Sequence, residues 1–345
     1  MLKRSVTLDC IKGILILLVV LGHALQYGYG KDYQLHGLFY GDFLFRAIYC
    51  FHMPLFMFIS GYLFYKSNQK PFVKVVLSKL KAVGIPYISY ATFIIIINCL
   101  FSQSHFYLSH YMKMIRMGIE MWFLWALIVS CLIVSLVTCF VNKNRILVAL
   151  ILCFICIISL FISDETIIPQ HKFVFFYFIL GYLYHTVDLN LSLYVKKNKI
   201  FIVITILYIL CILCYDEDMM IYNGNFCIVG DSGFLADQLF KDLVRWGIGL
   251  ISSCWIIGFY YLVINKIELM TPFLKTMGEQ TLAIYGLQSV LYTIFYNIST
   301  LYNLHFPHLY LWSILLCFLI LGVCEILIKI IKHYQLLGIL FLGKK

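Results

Sequence analysis

Charged residues are scarce in this sequence. Asp, Glu, Lys and Arg together make up 12% of the 345 residues, whereas hydrophobic residues make up 63%. A soluble protein of this length needs more polar surface than these residues supply, since soluble domains are about a quarter charged. The composition therefore excludes an ordinary water-soluble fold and indicates that most of the surface faces lipid.

The sequence also lacks the features that divide a chain into parts. No period of about 20 to 50 residues repeats, and no low-complexity linker interrupts the chain. The first apolar run is not followed by a small-x-small cleavage site, so we interpret it as a helix of the protein and not as a signal peptide. We predict a single membrane domain over residues 1–345.

The thirteen cysteines lie mostly within apolar segments, including the pairs Cys153/Cys156 and Cys211/Cys214. A thiol in such a segment behaves as a small hydrophobic group. We therefore predict neither a metal site nor a redox role.

Apolar stretches long enough to cross a bilayer recur along the chain, each needing about 20 residues. They predict an all-α fold, a polytopic integral membrane bundle of about ten transmembrane helices. The predicted segments are residues 11–28, 43–65, 83–101, 119–141, 146–163, 173–187, 199–215, 242–264, 281–299 and 309–331.

The basic residues alternate between the loops as expected for a membrane protein, because cytoplasmic loops retain Lys and Arg. With the N-terminus inside, most of the acidic residues fall in outside loops, among them Asp216, Glu217, Asp218, Asp231 and Asp237. Both termini are then cytoplasmic. The net charge of +10 follows from this topology and does not require nucleic-acid binding. The inside residues are Lys3, Arg4, Lys66, Lys70, Lys74, Lys79, Lys81, Lys143, Arg145, Lys196, Lys197, Lys199, Lys266, Lys275, Lys329, Lys332, Lys344 and Lys345.

Two ionisable residues share one face of the first helix. Lys12 and His23 are eleven residues apart, so they lie on nearly the same side, roughly 16 Å apart along the axis. Ionisable groups in a membrane are costly and are candidates for function. Each residue alone could be structural, with Lys12 extending to the interface and His23 bonded to a neighbouring helix. Their shared face favours function.

The second predicted helix contains His52 near its outer end, followed by Pro54, which we expect to kink the helix and open a cavity. The alternative is a packing bend with an interfacial histidine. The fourth begins at Glu120, which could orient a histidine or bind a sugar hydroxyl. Trp122 could stack on a sugar ring, although tryptophans are also expected at a membrane interface.

Polar residues also mark the inside loop before the third helix and the ninth helix. Lys79 and Lys81 belong to a lysine-rich loop that could bind anionic lipid headgroups or the phosphates of a cytoplasmic donor. In the ninth helix, Thr281, Tyr285 and Gln288 recur at one face, which we expect to point into the bundle. The outside loop of residues 216–241 is either a solvated charged loop or a lid.

These motifs together resemble the acyltransferase family 3 membrane proteins, in the branch similar to fucose 4-O-acetylases. The most specific match is the Arg/Lys-x10-His signature, supplied here by Lys12 and His23. The stretch at 51–62, Trp-Phe-Leu at 122–124 and Ile-Pro-Tyr at 85–87 add to it. Relatives often carry histidine at the position of Gln288, and a basic pair closer to the Pro-Tyr than Lys79 and Lys81.

The resemblance implies an O-acyltransferase of the bacterial cytoplasmic (inner) membrane. It implies transfer of an acetyl group from cytoplasmic acetyl-CoA, a substrate and not a resident cofactor, to a hydroxyl of a surface polysaccharide or its lipid-linked precursor sugar. Besides these partners we expect membrane lipids and no nucleic acid. His23 and Glu120 would be catalytic. Lys12, Lys79 and Lys81 would bind the donor, and the acceptor or cavity lining would comprise His52, Trp122, Tyr285 and Gln288.

A transporter or flippase for an acyl group or a lipid-linked saccharide is the alternative hypothesis. About ten helices and ionisable groups in the membrane suit that class equally well. The Lys12/His23 signature is the feature that favours an enzyme.

Overall fold

Each of the ten predicted apolar segments is helical in the computed structural model. The structure describes residues 5–102, 107–141, 144–185, 198–230, 233–302, 304, 306–308 and 310–343. The predicted segments also include residues 186, 187 and 309, which lie outside these ranges. So do Lys3, Arg4, Lys143, Lys196, Lys197, Asp231, Lys344 and Lys345 from the charge pattern.

The described residues form a nearly all-helical chain with one short hairpin. The hairpin is antiparallel and pairs β1 (Val229–Gly230) with β2 (Gly233–Phe234). Short 3-10 helices cover Leu38–Gly41 and Ile264–Lys266, and π-helical turns cover Leu80–Gly84 and Gly338–Leu342. The α-helices are α1 Val6–Tyr27, α2 Lys31–Leu35, α3 Phe43–Tyr49, α4 His52–Ser67, α5 Phe72–Lys79, α6 Ile85–Ser102, α7 Leu108–Met117, α8 Trp122–Phe140, α9 Arg145–Ser159, α10 Pro169–Tyr184, α11 Asn198–Cys214, α12 Ala236–Leu262, α13 Met270–Glu279, α14 Thr281–Leu301, α15 Tyr310–His333 and α16 Gln335–Leu337.

Six helical stretches in the described part of the chain are long and apolar enough to cross a bilayer. Large apolar side chains are also left uncovered on helix surfaces, with Phe140 79% and Ile146 75% exposed. Lipid solvates such surfaces at no cost. The predicted all-α integral membrane fold is thus confirmed. The six stretches are Val6–Tyr27, Phe43–Ser67, Phe72–Ser102, Trp122–Phe140, Ala236–Lys266 and Tyr310–His333.

The second predicted segment differs from expectation around Pro54. Instead of one kinked helix, α3 ends at Tyr49 and α4 begins at His52. Pro54 therefore occupies the first turn of α4, where its missing N–H would have had no helical partner in any case. Pro86 is the second residue of α6 and directly follows the π-helical turn Leu80–Gly84.

The chain packs into two compact units by internal contact. Unit 1 comprises Met1–Tyr49, Lys81–Met121 and Val263–Lys345, and unit 2 comprises Cys50–Leu80 and Trp122–Leu262. The single-domain assignment of residues 1–345 stays a prediction.

Unit 1 is built on a close crossing of α1 and α13. A Cβ atom added to Gly13 would collide with the carbonyl oxygen of Leu274, and one added to Gly278 would collide with that of Asp9. The two glycines therefore let the helix backbones touch, which is how small residues drive helix association in membranes. Cys10 extends this contact by donating its thiol to the Thr271 carbonyl oxygen at 3.7 Å.

Unit 2 contains a similar glycine-mediated helix crossing, between α4 and α10. A Cβ atom on Gly61 would meet the carbonyl of Phe178, and one on Gly181 would meet that of Phe58. Beyond this crossing, the buried amide of Asn68 donates to Thr138 and accepts from Ser135, at 2.9 Å each. Unit 2 therefore combines close backbone packing with a satisfied polar network.

The segment of residues 216–241, which the charge pattern predicts as an outside loop, is partly folded into unit 2. Met220 and Phe226 have no exposed surface. The guanidinium of Arg245 on α12 donates to the carbonyl oxygens of Met219 at 3.0 Å, Asn225 at 2.6 Å and Asp218 at 2.7 Å, and pairs with Asp242 at 2.8 Å. The section from Asp218 to Phe226 is thus a packed segment and not a freely solvated loop.

Candidate functional site

His23 lies half-buried near the C-terminal end of α1, in unit 1. Its Nδ1 atom is 2.8 Å from Oε1 of Gln288 on α14. Nε2 has no hydrogen-bond partner among the described residues. The imidazole therefore has one nitrogen held by the protein and one available to a substrate.

Tyrosine rings surround this imidazole. Tyr27, one turn later on α1, and Tyr292 on α14 both meet the His23 ring edge-on, with centroids 6.0 and 5.9 Å away. Tyr296 meets Tyr27 at 5.8 Å. The Tyr292 hydroxyl donates to the Val20 carbonyl oxygen at 2.9 Å, which joins α14 to α1 beside the histidine.

Tyr27, Tyr292 and Tyr296 were not identified from the sequence. The signal was present, because Tyr27 is four residues after His23, and Gln288, Tyr292 and Tyr296 follow one another at spacings of four. Side chains at that spacing share a helix face. The sequence contains 26 tyrosines, so tyrosines at this spacing cannot be recognised as a cluster until the fold is known.

Glu120 lies in the turn between α7 and α8, two residues before α8 begins at Trp122, and so just outside the helix that the sequence predicted to include it. It is half-buried, and burial raises the pKa of its carboxyl above the ordinary value of 4.5. The carboxylate is within electrostatic range of the Tyr27 phenol. The structure thus places Glu120 within electrostatic range of one tyrosine of the cluster around His23, within unit 1.

Lys12 and His23 lie on one continuous helix, as the sequence predicted. Lys12 forms an ion pair with Asp9 at 2.8 Å, where the lysine side chain is 18% exposed and the aspartate 4%. The aspartate in the Asp-x-x-Lys context therefore neutralises the lysine and holds it in the second turn of α1. The pairing of Lys12 with Asp9 was not predicted from the sequence.

The two other lysines of the predicted donor site occupy different surroundings. Lys79 ends α5 in unit 2, with its ammonium 5.0 Å from the centre of the Phe64 ring. Lys81 lies in the π-helical turn of unit 1 and is exposed. Each is described within its own unit, and their joint role in donor binding stays a prediction.

His52 and Trp122 belong to unit 2. His52 is the first residue of α4 and is 3% exposed. Trp122 is the first residue of α8 and is half-buried, with its ring edge-on to Tyr222 at 5.9 Å. Tyr222 comes from the packed section between Asp218 and Phe226, so that section contributes to the surroundings of Trp122.

Tyr285 and Gln288 face the interior of unit 1, as their spacing predicted. Gln288 has no exposed surface, and Tyr285 is 7% exposed. The carbonyl oxygen of Tyr285 accepts hydrogen bonds from Gln288 Nε2 at 3.1 Å and from Ser289 at 2.9 Å. The predicted role of both residues in lining an acceptor site is not tested by these contacts.

Comparison with known proteins gives a family match over nearly the whole chain. The acyltransferase family 3 model, described as an acyltransferase domain, matches residues 6–326. The nodulation protein NolL of Sinorhizobium fredii is 28% identical over 306 residues, covering 85% of this chain and 79% of the relative. NolL of Mesorhizobium japonicum is 27% identical, with 85% and 78% covered. No solved structure matches the chain.

Proposed function

Because the chain belongs to acyltransferase family 3 and is a membrane acyltransferase, we propose that it is an O-acetyltransferase. It takes the acetyl group from cytoplasmic acetyl-CoA. The acceptor is a hydroxyl of a surface polysaccharide or of its lipid-linked precursor sugar. The observation that carries this proposal is the His23 imidazole, held at Nδ1 and available at Nε2.

The proposed chemistry is a proton transfer coupled to acyl transfer. His23 Nε2 removes the proton from the sugar hydroxyl as its oxygen attacks the thioester carbon of acetyl-CoA. The new C–O bond forms, the C–S bond breaks, and the proton passes to the departing thiolate to give free CoA. Transient acylation of His23, followed by attack of the sugar hydroxyl, gives the same balanced products.

Basic side chains serve the donor in this proposal. Lys12, Lys79 and Lys81 attract the phosphates of CoA, with Lys12 held in place by Asp9. The cationic face of the protein is cytoplasmic, which is where acetyl-CoA is found. The protein then lies in the bacterial inner membrane with both termini inside.

The acceptor side combines a carboxylate with aromatic rings. Glu120, within electrostatic range of Tyr27, accepts a hydrogen bond from a sugar hydroxyl or orients the imidazole. His52, Trp122 and Tyr285 stay the residues that the sequence predicts for acceptor binding, and an aromatic face such as Trp122 suits the apolar face of a sugar ring. The family membership favours acyl transfer over the transporter alternative.

Replacing His23 tests the proposal. H23A removes the proton acceptor, and general-base catalysis contributes about 100- to 10,000-fold in rate, so a loss of at least about 100-fold is expected. The measurement is transfer of radiolabelled acetyl from acetyl-CoA to glycan in membranes. H110A, which changes an exposed histidine of α7 in the same unit, is the matched control. Full activity of H23A would overturn the proposal.

The donor and acceptor are tested separately. Wild-type membranes are compared with labelled acetyl-CoA and labelled succinyl-CoA, and only the first is expected to label glycan. NMR of surface polysaccharide from cells with and without the gene then identifies the modified hydroxyl. Unchanged O-acetylation without the gene would exclude polysaccharide as the acceptor.

A further inference from the structure

The amide of Gln288 is buried and fully engaged. Its side chain has no exposed surface. The amide nitrogen lies 3.1 Å from the carbonyl oxygen of Tyr285 and 2.9 Å from Oγ of Ser289, and the amide oxygen lies 2.8 Å from His23 Nδ1. Because both amide hydrogens have protein partners and the side chain has no exposed surface, Gln288 is not available to a substrate.

The Tyr285 carbonyl fixes which way the amide points. A carbonyl oxygen only accepts hydrogen bonds, so the Gln288 atom facing it must be the NH₂ group. A flipped amide would set two acceptors against each other in a buried site. Ser289 reinforces the orientation, because its hydroxyl proton goes to the same Tyr285 carbonyl at 2.9 Å and its oxygen is then free to accept from Gln288.

The orientation of the amide determines the tautomer of the histidine. Since the Gln288 oxygen faces Nδ1, a neutral imidazole must carry its proton on Nδ1 and its lone pair on Nε2. Among the described residues, the other neighbours of the ring do not fix its tautomer. Tyr27 and Tyr292 pack edge-on against the imidazole, and the Tyr292 hydroxyl donates its hydrogen bond to the Val20 carbonyl oxygen. We propose that Gln288 is a positioning residue that holds His23 in the Nδ1–H tautomer, with Nε2 directed to the substrate.

This inference rests on the proposed role of His23 as the base. It assigns to α14 a function in the chemistry without contact between Gln288 and either substrate. It also differs from the acceptor-lining role predicted for Gln288 from the sequence. The Tyr285 carbonyl orients the Gln288 amide, and the amide in turn fixes the tautomer of the imidazole.

Q288L is the first test. Leucine has a volume similar to that of glutamine but cannot accept a hydrogen bond from Nδ1–H. Loss of a residue that orients a functional histidine typically costs about 10- to 100-fold in activity. We expect that fall in kcat, with the KM for acetyl-CoA changed less than about twofold. The melting temperature in detergent is measured alongside, so that loss of folded protein is separated from loss of rate.

Q288E is the second test, and it gives a readout that a merely structural role would not move. A carboxylate beside Nδ1 favours the protonated imidazole, which cannot act as a base. The pH at which activity is half-maximal on the acid side is therefore expected to rise by about one unit. This midpoint is independent of how much enzyme is folded.

N297D is the matched control for Q288E. Asn297 lies on the same helix and donates to Asn98 at 3.0 Å and to the Thr293 carbonyl at 2.8 Å, away from the imidazole. The change introduces the same charge on α14. An unshifted acid midpoint is expected for N297D, and an equal shift in both variants would overturn the positioning role.

The outcomes separate the two proposals. If H23A is fully active, the proposed function fails. If H23A is inactive while Q288L keeps wild-type kcat and Q288E keeps the wild-type pH midpoint, His23 remains the base and the positioning role of Gln288 is wrong. Loss of rate in Q288L that tracks loss of melting temperature, with no pH shift in Q288E, also overturns it.

Discussion

At the scale of single residues, the two ionisable groups that define the α1 signature each have a partner within unit 1. Lys12 is neutralised by Asp9, and His23 is bonded to Gln288. Glu120 is half-buried within electrostatic range of Tyr27, and burial disfavours its charged form. A carboxylate held in this way costs stability, which a protein tolerates where the group has a function.

Glu120 predicts a measurable pH dependence of stability. Because burial raises the pKa of its carboxyl above 4.5, folding favours the protonated form. Its contribution to stability is complete below that value and is lost as pH rises through the folded-state pKa. E120Q, which stays neutral, should therefore melt at a higher temperature than wild type at pH 7, with the difference disappearing near pH 4.

The control for Glu120 is E268Q, which changes an exposed glutamate of the same unit. Its melting temperature should differ little from wild type at either pH. Scanning fluorimetry in detergent over this pH range makes the comparison. A gap between E120Q and wild type that narrows on raising the pH would show that the carboxylate is stabilised in the folded protein.

At the scale of secondary-structure elements, the position of α1 is set by its contact with α13. Gly13 and Gly278 face the backbone of the opposite helix, so the separation of the two helices is fixed by the absence of a side chain. α14 follows α13 directly and carries Gln288 and Tyr292 to the His23 face of α1. The glycine crossing thus positions the histidine relative to its partner.

G278A tests this crossing. Alanine normally stabilises a helix interior relative to glycine by about 1 kcal/mol. Here its Cβ would collide with the Asp9 carbonyl oxygen, so we expect a net loss of about 2 kcal/mol or more from overpacking, together with lower activity. Melting temperature and acetyl transfer are both measured.

G322A is the matched control, because a Cβ at Gly322 of α15 meets no atom within 4 Å. It should leave activity unchanged and stability equal or slightly higher. If G278A behaves like G322A, the close contact of α1 and α13 does not determine the separation of the helices.

At the scale of the whole molecule, the charge pattern predicts which ends face the cytoplasm. With the N-terminus inside, the segment of residues 216–241 lies outside and the lysine-rich segment of residues 66–81 lies inside. This orientation puts Lys12 toward the cytoplasm and His23 deeper in α1. A cytoplasmic donor would then reach the histidine along one helix face.

A fusion map tests the orientation. Reporters active only in the cytoplasm should be active when joined after residue 70 and at the C-terminus, and inactive when joined between residues 216 and 230. A reporter active outside the cytoplasm should give the reverse pattern. Cytoplasmic activity at 216–230 would overturn both the orientation and the proposed path of the donor.

The amino-acid sequence by itself determined the membrane class and the location of all ten helical segments, because their apolar length is a local property. It also placed Lys12 and His23 on one face of α1 and predicted the family. The predicted kink at Pro54 differs from the structure, where Pro54 lies in the first turn of α4. Proline is compatible both with a kinked helix and with the start of a new one, so the sequence alone did not distinguish them.

Only the tertiary structure decided which residues act as partners. Asp9 and Lys12 are close in sequence, but their burial depends on α13 packing against α1. Gln288 is 265 residues from His23, and nothing local in either helix specifies that its amide oxygen meets Nδ1. That contact exists because two glycines bring helix backbones together, and such long-range packing is not encoded in any single segment of the sequence.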